Sequence, residues 1–130
     1  MNEQAAIRAI VYARPREGRG DLNEPFDVTL EEALAAIASD PRGFAEPDGS
    51  FSLRDAASDE GLDGEVYDFA VEESESRVHH VDVRGSAGNG LWRRLFAALS
   101  PGGAARLLVF LPESGESIKG DEFLRLLTAR

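Results

Sequence analysis

The chain has 130 residues, of which 42% are hydrophobic, and a formal net charge of −10 at pH 7. A chain of this size buries roughly two-thirds of its surface on folding, so we expect a single globular domain over residues 1–130. Because the chain contains no cysteine, disulfides, thiolate metal sites and a cysteine nucleophile are excluded.

The chain shows no sign of export or membrane insertion. Its first residues lack the basic region of a signal peptide. The longest apolar run, residues 107–112, is far too short to span a bilayer. We therefore expect a cytoplasmic protein that makes no membrane contact.

The first part of the chain predicts a strand, a helix and a short hairpin. Residues 5–13 are apolar and β-branched, as in a strand. Thr29 and Glu32 have the spacing of a capping box that begins a helix, and Pro41 ends that helix. The apolar stripe of the helix consists of Leu30, Ala33, Leu34 and Ile37. A turn pattern at residues 47–49 predicts the short hairpin.

Two alternating segments, residues 65–72 and 77–84, predict a longer hairpin. A register that pairs Phe69 with Val81 aligns a single apolar face. That face carries Tyr67, Phe69, Val71, His79, Val81 and Val83.

The opposite face of this hairpin carries His80 with Asp68, Glu72 and Asp82. The register sets Asp68 opposite Asp82, so these groups could hold a cation or share a proton. Their spacing is not that of a metal site, and a hydrated strand face is the simpler interpretation. We therefore predict no metal site and no catalytic residue. Since neighbouring residues of a strand point to opposite faces, we expect that His79 and His80 cannot bind one ion together.

The last third of the chain predicts two helices around a strand. Residues 91–99 and 121–127 have apolar side chains at helical spacing, with Asp121 as the N-cap of the second helix. Residues 107–111 are uniformly apolar, which is typical of a strand covered on both faces. A crossover helix between the last two strands would let the final strand run parallel to its neighbour.

The predicted fold is α+β: a mostly antiparallel sheet of five to six strands, with three helices packed mainly on one face. The chain has no nucleophile elbow, no P-loop lysine and no His-Glu-x-x-His pattern. These absences favour a protein that is not an enzyme.

A glycine-rich segment, residues 84–90, joins a predicted strand to a predicted helix. Gly85, Gly88, Asn89 and Gly90 would bring backbone amides and a helix N-terminus close to a phosphate. The context resembles the pyrophosphate loop of acetyl-CoA-dependent N-acetyltransferases, although Arg84 lies four residues before the Gly-x-Gly step instead of three. That resemblance implies a ligand-binding or acyl-transfer protein with a phosphate-bearing cofactor such as acetyl-CoA. The alternative is a purely structural connection without a cofactor.

The negative charge is concentrated in one segment. Eleven carboxylates and a single base, Arg54, lie between Glu46 and Glu75, so this segment carries the whole net charge of −10. Such a segment repels nucleic acid and membranes and attracts basic surfaces. We therefore expect a non-catalytic module, of a toxin-neutralising or regulatory type, that docks a basic protein. Its expected docking residues are Asp55, Asp59, Glu60, Asp63, Asp68, Glu72 and Asp82. The alternative is a charge that serves solubility alone.

Overall fold

A computed structural model of the protein describes residues 6–15, 25–69 and 77–128. Within these ranges, seven strands form one sheet and three α-helices pack against it. The strands are β1 (Ile7–Ala13), β2 (Gly43–Ala45), β3 (Ser50–Arg54), β4 (Gly61–Asp68), β5 (Val78–Ser86), β6 (Leu107–Leu111) and β7 (Glu116–Lys119). The helices are α1 (Leu30–Ala38), α2 (Asn89–Leu99) and α3 (Gly120–Thr128).

The strand order is β2-β3-β4-β5-β1-β6-β7, and every neighbouring pair is antiparallel. The α+β class, the antiparallel sheet and the three helices are confirmed, whereas the prediction of five to six strands is wrong. The additional strand, β7, has four residues, and only one of them is apolar. The expected parallel pairing of β6 is also wrong, because β1 lies between β5 and β6.

The three helices share one hydrophobic core with a single face of the sheet. Helix α2 lies between α1 and α3, and its apolar stripe is buried as predicted. The buried side chains of α2 are Leu91, Trp92, Leu95, Phe96 and Leu99. The ring of Trp92 packs edge-to-face on Phe123 of α3, with the ring centroids 5.0 Å apart. This contact holds two helices together over the centre of the sheet.

Helix α1 begins with the predicted capping box. The Thr29 hydroxyl accepts a hydrogen bond from the Glu32 amide at 3.1 Å, and the Thr29 amide donates to the Glu32 carboxylate at 3.0 Å. Beyond the end of the helix, the Asp40 carboxylate accepts two hydrogen bonds from the Arg94 guanidinium of α2. These bonds lower the pKa of Asp40 and connect α1 to α2.

Strand β4 begins four residues earlier than the sequence pattern suggests, at Gly61. Its inward side chains are Leu62 and Val66, with Gly64 between them. A Cβ atom on Gly64 would lie 2.8 Å from the ring of Phe51, so this glycine makes room for an aromatic side chain of β3. Gly61 and Gly64, which the sequence pattern assigned to a loop, therefore belong to strand β4. The register of the β4–β5 hairpin also differs from the predicted one. Val66 lies opposite Val81, where the sequence pattern predicted Phe69.

None of the three described helices covers the other face of the sheet, which we call the open face. Its side chains come from four central strands: Glu65, Tyr67, His80, Asp82, Arg84, Arg8, Ile10, Tyr12, Leu108 and Phe110. The sequence predicted a strand covered on both faces. Leu107 and Val109 are buried in the core and Leu111 packs against it, whereas none of the described helices lies over Leu108 and Phe110. The uniform apolar character of β6 instead adds half-buried apolar side chains to the open face.

Candidate functional site

The predicted docking residues that the structure describes lie at three levels along β4. One group precedes the strand or lies near its start: Asp55, Asp59, Glu60 and Asp63. Asp68 is the last residue of the strand. At about 3.3 Å per residue, the strand separates its two ends by roughly 23 Å. Glu72 lies outside the described residues. Asp82 lies on β5 opposite Glu65, near the middle of β4. The predicted set is therefore divided among three regions.

Two of the predicted acids pair with arginines of the same chain. The Arg54 guanidinium donates to Asp63 at 2.9 Å, and that of Arg8 donates to Asp82 at 3.2 Å. Both arginine side chains are about half exposed, so solvent screens these pairs and their contribution to stability is small. Their main effect is to neutralise the two carboxylates.

Two further acids stabilise local structure. Asp55 accepts hydrogen bonds from the Ser58 hydroxyl and the Ala57 amide, which hold its pKa below the usual value. Glu60 accepts a hydrogen bond of 2.5 Å from the amide of Gly88, the N-cap of α2. Both carboxylates are engaged within the fold.

The register places Asp68 and Asp82 on different faces of the sheet. Glu65 lies opposite Asp82, and Asp68 lies opposite Val78. Val78 is fully buried, and residues directly opposite each other share a face. Asp68 is therefore on the helix-covered face, and the predicted pair of Asp68 and Asp82 is wrong. The carboxylates that face each other across the two strands are those of Glu65 and Asp82.

Strand β5 has one residue more than β4 at the level of the histidines. Tyr67 pairs with His80 and Asp68 pairs with Val78, so His79 is the additional residue of a β-bulge. The bulge turns the two imidazoles toward each other, with their Nδ1 atoms 2.7 Å apart. The prediction that the two rings point apart is wrong, because strict alternation ends at a bulge. At this distance one Nδ1 donates a hydrogen bond to the other.

Three aromatic rings from adjacent strands line up on the open face, and we call Tyr67, His80 and Tyr12 the aromatic row. His80 stacks on Tyr67, with centroids 4.6 Å apart and planes inclined by 13°. Tyr12 lies on the other side of His80 at 5.7 Å. Burial lowers the pKa of His80, the charge of His79 lowers it further, and Asp82 opposes both effects. The imidazole of His80 is therefore neutral at pH 7.

Three carboxylates surround Ser50 beside the aromatic row, and we call Glu46, Asp48 and Glu65 the Ser50 cluster. Ser50 lies opposite Glu65, so both side chains are on the open face. The Ser50 hydroxyl donates to Asp48 at 2.7 Å, which lowers the pKa of Asp48, and lies 3.4 Å from the Glu46 carboxylate. Glu65 accepts a hydrogen bond of 2.8 Å from the Tyr67 hydroxyl. None of the three carboxylates forms an ion pair with a described residue.

The Ser50 cluster was not among the predicted docking residues, although its members belong to the acidic segment. Two signals point to it. The turn at residues 47–49 brings Glu46 and Asp48 back to Ser50, and the register of β3 with β4 adds Glu65. The turn is visible in the sequence, but the register requires knowing where β4 begins.

Within the part of the chain that the structure describes, no three His, Asp or Glu side chains converge as metal ligands. The His79 and His80 Nδ1 atoms lie at a hydrogen-bonding separation. The three residues of the Ser50 cluster, Glu46, Asp48 and Glu65, are exposed to solvent.

Three positions of the glycine-rich segment have roles in the fold. Gly85 is part of β5, where a Cβ atom would lie 2.1 Å from the carbonyl oxygen of Gly61. The amide of Gly88 is bonded to Glu60. The Asn89 side chain donates to a backbone carbonyl of α3 at 2.5 Å. These contacts explain the composition of the segment without a ligand.

A phosphate at this segment would compete with Glu60. The carboxylate already lies where the N-terminus of α2 favours an anion. An added Cβ atom at Gly90 would contact nothing within 4 Å. The geometry therefore does not favour a phosphate-bearing cofactor at residues 85–90.

The chain matches no protein-family model, no curated protein and no solved structure. Among the described residues, no helix is long and apolar enough to cross a membrane.

Proposed function

We propose that the chain is a non-catalytic protein-interaction module whose open face docks a basic protein surface, in a toxin-neutralising or regulatory role. One observation carries the proposal: the aromatic row and the Ser50 cluster lie side by side on a sheet face that none of the described helices covers.

The apolar part of the open face supports a protein partner. Tyr67 is 41% exposed, and Phe44, which lies opposite Ser52 on β2, is 68% exposed. Ile10 and Phe110 are half-buried neighbours from β1 and β6. Aromatic side chains of this kind are enriched at the centres of protein interfaces because they bury a large area and lose little conformational freedom.

The charge of the open face supports a basic partner. Asp63 and Asp82 are neutralised by arginines of the chain, whereas no arginine or lysine among the described residues forms an ion pair with the Ser50 cluster. An arginine of the partner could pair with Glu65 and stack on the ring of Tyr67, because guanidinium groups favour both contacts. The net charge of −10 would in addition speed the approach of a positive surface at low salt.

The test is capture of partners from a host-cell extract on the immobilised full chain at low and high salt. We expect retained proteins to be basic and to elute when salt screens the contact. The variant that tests the face is Glu46→Gln with Asp48→Asn, Glu65→Gln and Tyr67→Ala. It should retain at least tenfold less of the same proteins.

A matched control variant carries Glu113→Gln, Glu116→Gln and Glu122→Gln. These three side chains are exposed and lie away from the open face, so the control changes the net charge equally. The proposal requires normal capture by this control. Equal losses from both variants would mean that only the overall charge matters, and unchanged capture by the first variant would exclude the open face.

A further inference from the structure

A second candidate site lies on the other side of the sheet, where β1 ends and β6 begins. It is a pocket of about 310 Å³ whose walls come from the end of α2, the segment before α1 and the residue before β5. A cavity of about 150 Å³ is large enough to hold benzene. The pocket therefore has room for a small organic molecule that carries an additional polar group.

Among the described residues, the charged groups that line this pocket are the arginines Arg14, Arg77 and Arg106 and the carboxylate of Asp27. Arg14 and Arg77 donate to backbone carbonyls, at 3.5 Å and 3.3 Å. Neither forms an ion pair with a residue in the described ranges. A guanidinium has five N–H donors, so these bonds to described residues use only part of the hydrogen-bonding capacity of each side chain.

The third arginine is held only loosely. Arg106 pairs with Asp27 at 2.9 Å, but both side chains are more than half exposed. A screened pair of this kind gives way easily to a better acceptor. The pocket thus carries a local positive charge on a protein whose net charge is −10.

The floor of the pocket is apolar. Phe26, Leu99 and Leu107 line it, and all three belong to the buried core. At the end of α2, the Ser100 carbonyl accepts a hydrogen bond from the Gly103 amide. A ligand that fits the pocket combines an anionic group with a compact apolar body.

We infer that this pocket binds a small organic anion, a carboxylate or phosphate attached to a ring or short hydrocarbon. Arg14 and Arg77 bind its oxygens, in the two-pronged geometry that guanidinium groups form with carboxylates and phosphates. Phe26, Leu99 and Leu107 contact its apolar part. This inference is independent of the open face and of any protein partner.

The experiment is calorimetric titration of the full chain with phenyl phosphate, benzoate, inorganic phosphate and benzyl alcohol. We expect phenyl phosphate or benzoate to bind at least tenfold more tightly than inorganic phosphate, and benzyl alcohol not to bind. Arg14→Gln combined with Arg77→Gln should weaken binding at least tenfold. The control, Arg84→Gln with Arg125→Gln, removes the same charge from elsewhere and should bind normally.

Amide chemical shifts of the unmodified protein provide a second readout that does not depend on the folding of a variant. Phenyl phosphate should shift the amides of Arg77, Ser100 and Arg106. The inference is overturned if neither organic anion binds, if both double variants bind equally well, or if benzyl alcohol binds as tightly as benzoate. Shifts confined to other parts of the chain would also overturn it.

Discussion

One additional residue in a strand decides the surface around the histidines. Because His79 sits in a bulge, its ring meets that of His80 instead of pointing to the opposite face. The sequence does contain adjacent histidines and the alternating residues around them, but alternation alone cannot reveal a bulge. The bulge is defined by how β5 pairs with β4, the preceding strand of the hairpin. That pairing cannot be derived from the alternation within β5 alone. The predicted composition of the open face was wrong for a separate reason, because Val66 and not Phe69 lies opposite Val81.

The pH dependence of stability follows from the lowered pKa of His80. In the folded chain, burial and the charge of His79 disfavour protonation of His80. The unfolded chain takes up this proton near pH 6.5. As the pH falls below that value, the unfolded state binds more protons than the folded state, so the free energy of unfolding decreases.

Replacing His80 by Gln should therefore make the free energy of unfolding less dependent on pH between pH 7 and pH 5. Urea denaturation of both proteins at pH 5, 6, 7 and 8 measures this difference. An identical slope in the two proteins would show that His80 titrates in the folded state as freely as in the unfolded chain.

At the scale of elements, the sequence predicted best what local patterns encode. The capping box of α1 and the buried stripe of α2 are confirmed because both depend on residues within one or two turns. The start of β4 was missed because Gly61 and Gly64 are typical of loops. Strand β7 was missed because it has no apolar pattern and is defined only by its pairing with β6. The sequence therefore missed the parts of strands that are defined by pairing with another strand and not by a local residue pattern.

Two glycines of the 85–90 segment should respond to alanine in opposite ways. Gly85→Ala places a Cβ atom 2.1 Å from a backbone oxygen at a φ of 157°, and we expect a loss of about 1–3 kcal/mol in the free energy of unfolding. Gly90→Ala adds a methyl group in open space within α2, and should stabilise the protein by about 0.5–1 kcal/mol. Urea denaturation measures both changes. Full stability of the Gly85→Ala protein would contradict the structural role assigned to that residue.

At the scale of the whole molecule, the sequence shows that negative charge is concentrated in residues 46–75. It does not show which of these carboxylates are neutralised in the folded protein. The acidic segment is a property of composition, whereas its neutralisation depends on arginines far away in the chain. Arg8 reaches Asp82 across 74 positions of sequence. Such pairs form only once the sheet order is set, and β1 enters the sheet between β5 and β6. The Ser50 cluster likewise depends on sheet order, because the pairing of β3 with β4 brings Glu65 opposite Ser50.

The sheet order also predicts a gradient of local stability. Strands β1 and β5 each have a neighbour on both sides, whereas β2 and β7 are the outer strands of the described sheet. Hydrogen-bonded amides of β1 and β5 should exchange with solvent at least about two orders of magnitude more slowly than those of β2 and β7. Hydrogen exchange followed by NMR tests this order. Equal protection across all strands would mean that the sheet opens only as one unit.

The position of Trp92 has a consequence for experiments on this protein. It is the only tryptophan in the chain, and its ring is fully buried between α2 and α3. When tryptophan is excited selectively, all of the fluorescence therefore comes from Trp92 in a single apolar environment. Loosening of α3 will shift that emission to longer wavelengths, whereas a partner on the open face will leave it almost unaltered. The protein thus carries an intrinsic optical probe that separates unfolding from docking.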